Sequence, residues 1–247
     1  MKIISILCPT RERVVLAQRY YESLVATAEF PEYIEVMFYV DKDDPQLREY
    51  EKYFLQLEIA GNEGIAVGTS VGPAAGVSSA WNSLAEDSQG DILLMGNDDL
   101  VAKTVGWDTA LRSAADQYND DIYCIFFDDG INHGRHNAFP AVSRKWYNTL
   151  GYFAPAHIGF RFFYNDTWIF DLGKRIDRVH YIPEVLIEHQ HFTRTRIKDA
   201  TTRRNRDDVG GRFLKHDKSL FEKRVSEREQ DAKKLLRTLG NWRIQCG

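Results

Sequence analysis

The feature that most constrains the fold of this chain is an alternation of short apolar runs with helical spacings. "KIISILC" (2–8), "IEVMFYV" (34–40), "GIAVGTSV" (64–71), "DILLMG" (91–96) and "IYCIFF" (122–127) are rich in β-branched and aromatic residues, and each predicts a buried strand. Between them lie helix candidates at roughly 13–28, where Leu16, Tyr20 and Leu24 recur every four residues, and at 45–57, 75–87 and 106–118. Strand followed by helix, repeated, predicts an α/β fold with a mostly parallel central sheet covered on both faces. In such sheets ligands bind beyond the carboxyl ends of the strands.

Polar residues gather where those ends are expected. Pro9, Thr10, Arg11, Glu12 and Arg13 follow the first strand, Asp41, Lys42, Asp43, Asp44 and Pro45 the second, and Asn97, Asp98 and Asp99 the fourth. Asp43 or Asp44 with Pro45 also suits a helix start, as an N-cap with proline at the first helical position. Three clusters on one edge describe more than caps: a cleft with basic and acidic walls, suited to an anionic ligand held partly through a divalent cation. Adjacent carboxylates at the end of a buried strand repel, and desolvating them costs several kcal/mol without a compensating cation. A metal ion is the candidate the sequence offers.

Composition narrows the class. With 247 residues, 43% of them hydrophobic and 13% aromatic, the chain can bury a sizeable core as one large domain, or one domain with an appendage. The run after Lys2 is too short for a membrane span or a secretory signal, which leads to the expectation of a soluble, cytoplasmic protein, with a peripheral position at a membrane surface left open. Cys8, Cys124 and Cys246 show no metal-ligand spacing. The net charge of −4 is uneven: residues 192–247 carry 16 Lys and Arg against 8 Asp and Glu, leaving 16 against 28 in residues 1–191. Such a basic tail could meet phosphate, nucleic acid or an anionic surface, or simply form a solvated helix.

The alternation stops near residue 139. "FPAVSRKWYNTLGYFAP" (139–155) is aromatic and ends in loop residues; its rings suit a core or an acceptor pocket that stacks sugars or bases. "NDTWIFDLGKRI" (165–176) predicts a short amphipathic helix, and "RVHYIPEVLIEHQHF" (178–192) two strands around Pro183. Residues 213–239 predict one helix with Phe221, Val225, Ala232, Leu235, Leu236 and Leu239 on one side and Gly240 as its stop. In "EHQHF", His189 and His191 sit at i and i+2 and would point the same way on a strand, compatible with one ion.

Taken in order, "ISILCPTRER", "YVDKDDP", "GPAAGVSSAWN", "LLMGNDDL" followed by "GWD", and "FPAVSRKWYNTLGYF…NDTWIFDLGKR…EHQHF" resemble glycosyltransferases of the GT-A fold, closest to family 2, over roughly residues 3–201. The resemblance implies a Rossmann-like nucleotide-sugar-binding half at 1–130, an acceptor-binding and catalytic half at 131–212, and a C-terminal helix and tail at 213–247. It implies that an Asp-x-Asp motif, here Asn97-Asp98-Asp99 with Asn departing from the first position, holds Mn2+ or Mg2+ against the donor diphosphate. On that basis Asp99 is the metal ligand, joined by His191 or, second, His189, and Asp98 is aimed at the ribose or the donor sugar. Pro9, Thr10, Arg11 and Arg13 would border the nucleotide, with Asn97 beside them. Asp41 or Asp43 would meet the base or ribose, and Asn82 the ribose from its helix. Lys198, with Arg194, Arg196 and Asp199, would lie in a loop near the donor. "YNDTW" aligns Asp166 with the family's catalytic base; an N-cap for a 167–176 helix is its structural alternative.

The implied activity is transfer of a sugar from a UDP- or GDP-sugar to a hydroxyl of a carbohydrate, glycolipid or other acceptor, with inversion if Asp166 is the base. A hydroxylated base in DNA is also permitted by the basic tail, through phosphate contacts. Three other readings compete. A nucleotidyltransferase usually has a glycine-rich loop after its first strand, and "CPTRER" has no glycine. A metal-dependent hydrolase would use the histidines and carboxylates to activate water. A non-catalytic sugar- or nucleotide-binding module would need no base at all.

Overall fold

A computed structural model describes residues 1–59, 64–136, 138–191, 200, 203 and 212–246, the last six of these as backbone only. The first four apolar runs become β1 (Ile4–Thr10), β2 (Ile34–Asp41), β3 (Ala66–Gly72) and β4 (Ile92–Met95). A three-residue strand too short to announce itself, β5 (Leu100–Ala102), follows, and the fifth run forms β6 (Cys124–Asp128). The helical spacings become α1 (Val14–Thr27), α2 (Leu47–Ile59), α3 (Val77–Asp87) and α4 (Trp107–Ala115). Beyond them come β7 (Ala141–Ser143), α5 (Arg144–Leu150), α6 (Asn165–Arg175), β8 (Val179–His189), α7 (Arg212–Lys223) and α8 (Val225–Cys246).

The strands form one eight-stranded sheet in the order β3-β2-β1-β4-β7-β6-β8-β5. From β3 to β4 every pairing is parallel; β7 then runs antiparallel between β4 and β6, and β5 antiparallel to β8. Period-two alternation decides the faces. Ile4, Ile6 and Cys8 of β1 join the core under α1, α2 and α4, while Leu7 faces the opposite core under α3, α5, α6 and α8. Trp107 lies fully buried in the first core and Trp146 and Trp168 in the second. An indole of this kind removes about 150–250 Å² from water, roughly 4–6 kcal/mol of gross stabilisation at ~25 cal/mol per Å².

Two expectations change. Residues 178–192 are not two strands but one, β8, which passes through Pro183. Its register against β6 jumps there, Phe127 facing Ile182 and Asp128 facing Leu186, so the missing proline N–H falls in a bulge and removes no ladder bond. Past the bulge the same strand pairs with β5, Leu100 facing His189. The 213–239 helix is two helices. They separate at Arg224 because the buried Arg228 guanidinium donates to the carbonyls of Phe221 and Arg224 and stacks 3.8 Å from the Phe221 ring, satisfying the end of α7. Gly240 does not stop α8, which runs on to Cys246. Ala232, Leu235 and Leu239 are buried as expected, whereas Val225 and Leu236 are exposed.

Candidate active site

The carboxyl ends of β1, β2 and β4 are neighbours because β1 lies between the other two in the sheet. The three polar clusters therefore meet. Pro9, Thr10, Arg11, Arg13, Asp41, Asp43, Asn97 and Asp98 line one cleft of about 460 Å³. A second cavity, near Lys2, Asp91 and Arg112, opens at the amino ends of β1 and β4 and holds none of the predicted residues.

The β4 tip is held by backbone. The N–H of Gly96 donates to the carbonyl of Leu7 at 2.8 Å, and the Trp81 indole N–H donates to the carbonyls of Leu7 and Gly96. A Cβ on Gly96 would come within 2.9 Å of both the Leu7 carbonyl oxygen and the Ile6 side chain, so only glycine permits this approach. The tip then delivers Asp98 and Asp99, both buried.

What compensates these carboxylates is Arg13. Its guanidinium donates to Asp98 Oδ1 at 2.8 Å and reaches Asp99 Oδ2 at 3.5 Å. The protein's own arginine thus supplies part of the positive charge that the sequence reading sought in a metal ion, chiefly at Asp98. Asp98 also accepts from Thr10 Oγ1 at 2.8 Å, and Thr10 in turn meets the Tyr50 hydroxyl at 2.7 Å. Asp98 is thus engaged within the protein although it lines the cleft. Burial pushes its carboxyl up to about 6; Arg13 pulls it down and Asp99 adds to the rise. Burial opposes ionisation of Asp99 too, but the His189 hydrogen bond and the electrostatic pull of its neighbours, Arg13 among them, hold it below the usual carboxylate range.

The β5–β8 register brings His189 to Asp99. With Leu100 opposite His189, the imidazole Nε2 stands 3.5 Å from Asp99 Oδ1, and the His191 ring lies 5.0 Å from that of His189. Asn97 Nδ2 donates to Asp99 Oδ1 at 2.8 Å. Asp99 and His189 are an oxygen and a nitrogen donor suited to a divalent ion that takes its other ligands from phosphate and water. Among the described residues no group of three or more His, Cys, Asp and Glu side chains is gathered as a complete cage.

On the opposite wall Arg11 bridges Asp41 at 2.8 Å and Asp43 at 2.5 Å. Burial raises the Asp41 carboxyl despite Arg11, while the Arg11 hydrogen bond lowers exposed Asp43. Asp44, not Asp43, makes the turn into α2: its carboxylate accepts the N–H of Gln46 at 2.7 Å and that of Glu12 at 2.9 Å. Glu12 itself adopts a left-handed φ of 56°, fixed by that bond.

Asn82 is not in the cleft. Its amide accepts the N–H groups of Phe153 and Ala154 and donates to the Ala154 carbonyl, each at 2.8 Å, so it clamps the loop after α5. Asp166 lies in the first turn of α6, which starts at Asn165 after Tyr164, so it is not the N-cap. Its Oδ2 stands 3.4 Å from His136 Nε2, and that hydrogen bond raises the imidazole above its ordinary value against the effect of burial. Asp166 does not line the 460 Å³ cleft, but neighbouring Asn165 accepts from Ser78 Oγ at 2.7 Å, one residue from cleft-lining Val77. Lys198, Arg194, Arg196 and Asp199 lie outside the described residues.

The sequence reading missed several lining residues: Tyr39, Ala74 to Val77, Phe160, Arg161, Phe162 and Phe213. Phe160 to Phe162 come from the loop before α6 and Phe213 from α7. No local pattern marks them, because they reach the cleft only through the docking of α7. Buried Asp217 of that helix accepts the backbone N–H groups of Arg161, Phe162 and Phe163 at 2.9, 2.9 and 2.8 Å.

No protein-family description and no curated protein matches this chain in sequence. Solved structures do match it in fold. The mannosyltransferase PcManGT from Pyrobaculum calidifontis, in complex with GDP-Man and Mn2+, superposes with a TM-score of 0.60 at 12% identity, covering 97% of this chain and 74% of that one. S. aureus TarS 1–349 in complex with UDP-GlcNAc gives 0.56 at 12% identity, over 76% of this chain and 60% of that one. GalNAc-T7 with UDP, GalNAc and Mn2+ gives 0.56 at 12% identity, over 76% and 43%. The chain therefore spans about three fifths of the TarS fragment. It has the GT-A glycosyltransferase fold.

Proposed function

We propose that this chain transfers a sugar from a nucleotide-sugar donor to a hydroxyl acceptor, using a divalent metal. The observation that carries the reading is the convergence of three strand-end clusters on one cleft, with an ionised, buried Asp99, paired with His189, next in sequence to cleft-lining Asp98. Structures of the same fold contain UDP-GlcNAc or GDP-Man, which supports a UDP- or GDP-sugar as donor. Residues 1–130 form the donor-binding half in this reading and 131–212 the acceptor half, with 213–247 as a C-terminal helical tail.

Asp99 and His189, with His191 adjacent, are the residues that hold Mn2+ or Mg2+. Bound there, the ion supplies Lewis-acid stabilisation of the charge that develops on a departing diphosphate. The chain's own residues do the rest. Arg13 fixes the adjacent carboxylates in one arrangement, and Asn97 orients Asp99 through its 2.8 Å hydrogen bond. Asp41 and Asp43, held by Arg11, form the wall for the base or ribose. Asp166 takes the proton of the acceptor hydroxyl as general base, and inversion at the anomeric carbon follows from that role. The acceptor is a carbohydrate, a glycolipid or another hydroxyl compound.

Thermal-shift measurements with UDP, GDP and CMP, with and without Mn2+, test the reading. A ligand at about 100 times its dissociation constant adds ~2.7 kcal/mol, roughly 5–10 °C for a chain of this size. One nucleotide should show this shift only with the metal present, and Asp99→Ala should abolish the metal-dependent part. Asp166→Asn should keep the shift and lose transfer. Equal shifts with and without Mn2+ would refute the metal assignment, and no shift with any nucleotide would refute the donor assignment.

A further inference from the structure

The cleft contains three arginines whose circumstances differ. Arg11 is committed to Asp41 and Asp43, and Arg13 to Asp98 and Asp99. Arg161 lines the same cleft, is exposed, and among the described residues its guanidinium takes part in no hydrogen bond or ion pair. An arginine in a cleft whose other cations are neutralised is the position to which an anionic ligand group is drawn.

Its placement is fixed from behind. Asp217 of α7 accepts the backbone N–H groups of three consecutive residues, Arg161 to Phe163, with a carboxylate that is itself fully buried. Two residues before and one after this run the backbone turns through left-handed conformations, at Gly159 (φ 85°) and Tyr164 (φ 68°). The main chain is thus held where exposed Arg161 lines the cleft with Phe160 and Phe162, so ordering its side chain on a ligand costs side-chain entropy alone. The planar guanidinium fork matches a phosphate with two parallel N–H donors.

We propose that Arg161 is a phosphate-binding residue, positioned by Asp217. This rests on the glycosyltransferase reading for where the phosphate comes from: the diphosphate of the donor, or a phosphate carried by the acceptor. Arg161 itself, the loop clamp and the lack of a guanidinium partner among the described residues do not depend on that reading.

The test is calorimetric titration of the full chain, with Mn2+ present, using inorganic pyrophosphate, UDP, GDP, uridine, guanosine and glycerol 3-phosphate. Arg161→Gln should weaken pyrophosphate binding about tenfold, the usual scale for one charge-assisted contact, and Arg161→Lys should recover part of it as a point charge. Because the wild-type guanidinium has no partner among the described residues, the melting temperature of Arg161→Gln should stay at the wild-type value, which separates ligand contact from a structural role. A matching loss for UDP or GDP, with uridine and guanosine unaffected, identifies the donor diphosphate as the source; a loss confined to pyrophosphate and glycerol 3-phosphate identifies an acceptor phosphate. If pyrophosphate binds but no nucleotide does, Arg161 keeps its role and the donor reading falls. If wild type fails to bind pyrophosphate, or Arg161→Gln binds every phosphate compound as wild type does, the proposal is overturned.

Discussion

Asp217→Ala tests whether the C-terminal helices are part of the site or an appendage to it. The carboxylate accepts three backbone N–H groups at 2.8–2.9 Å and faces His216 Nδ1 at 2.9 Å, with no solvent exposure. Hydrogen bonds to a charged group contribute about 1.5–3 kcal/mol each, so three could amount to roughly 5–9 kcal/mol gross. The methyl group leaves room for water beside the freed donors, and neighbouring bonds do not add, so the expected net loss is about 3–4 kcal/mol. Against a typical total of 5–15 kcal/mol that is a large fraction and not necessarily unfolding. Urea denaturation should show a lowered midpoint with the slope unchanged. Hydrogen exchange should locate the damage: the amides of residues 161 to 163 should exchange at least a hundredfold faster, since each 1.4 kcal/mol is a factor of ten. Nucleotide affinity should fall with them, because Phe160, Arg161 and Phe162 line the cleft. Retained protection at those three amides, or a midpoint shift without any loss of nucleotide affinity, would show that the clamp does not organise the cleft wall.

Three further outcomes are expected. Gly96→Ala must push its Cβ into the Leu7 carbonyl and Ile6, so the β4 tip shifts and stability falls by about 1–3 kcal/mol in thermal unfolding. Asp108 is buried and accepts the N–H groups of Glu29 and Phe30 and the Arg112 guanidinium; burial opposes its charge, yet these bonds hold its carboxyl below the usual range. A depressed carboxyl contributes stability that is present above its unfolded value near ~3.9 and is lost as pH falls through the folded value, so Asp108→Asn should flatten the acid limb of stability measured below about pH 4. His136 is raised by its Asp166 partner and keeps that carboxylate paired while protonated. If Asp166 is the base, transfer should decline as pH drops below the raised His136 value, and His136→Asn should move the decline to lower pH; an unmoved profile would count against this coupling.

The sequence by itself determined the layered α/β body. Period-two apolar runs assign Ile4, Ile6 and Cys8 to one face and Leu7 to the other, and the residues after those runs belong to the strand ends whatever the later chain does. Pro9 to Arg13, Asp41, Asp43 and Asn97 to Asp99 were legible for that reason: strand order in a parallel sheet places their ends together. Tertiary structure decided everything that depends on a partner distant in the chain. Only the fold shows that Arg13 neutralises Asp98 and Asp99, that a strand bulge at Pro183 carries His189 to Asp99, and that Asn82 spends its amide on the loop at 153 and 154. The same is true of Arg161, whose place in the cleft is fixed by a carboxylate 56 residues further along. Local periodicity encodes which face a side chain takes; the partner that satisfies its charge is set by packing between segments, and no local pattern records that.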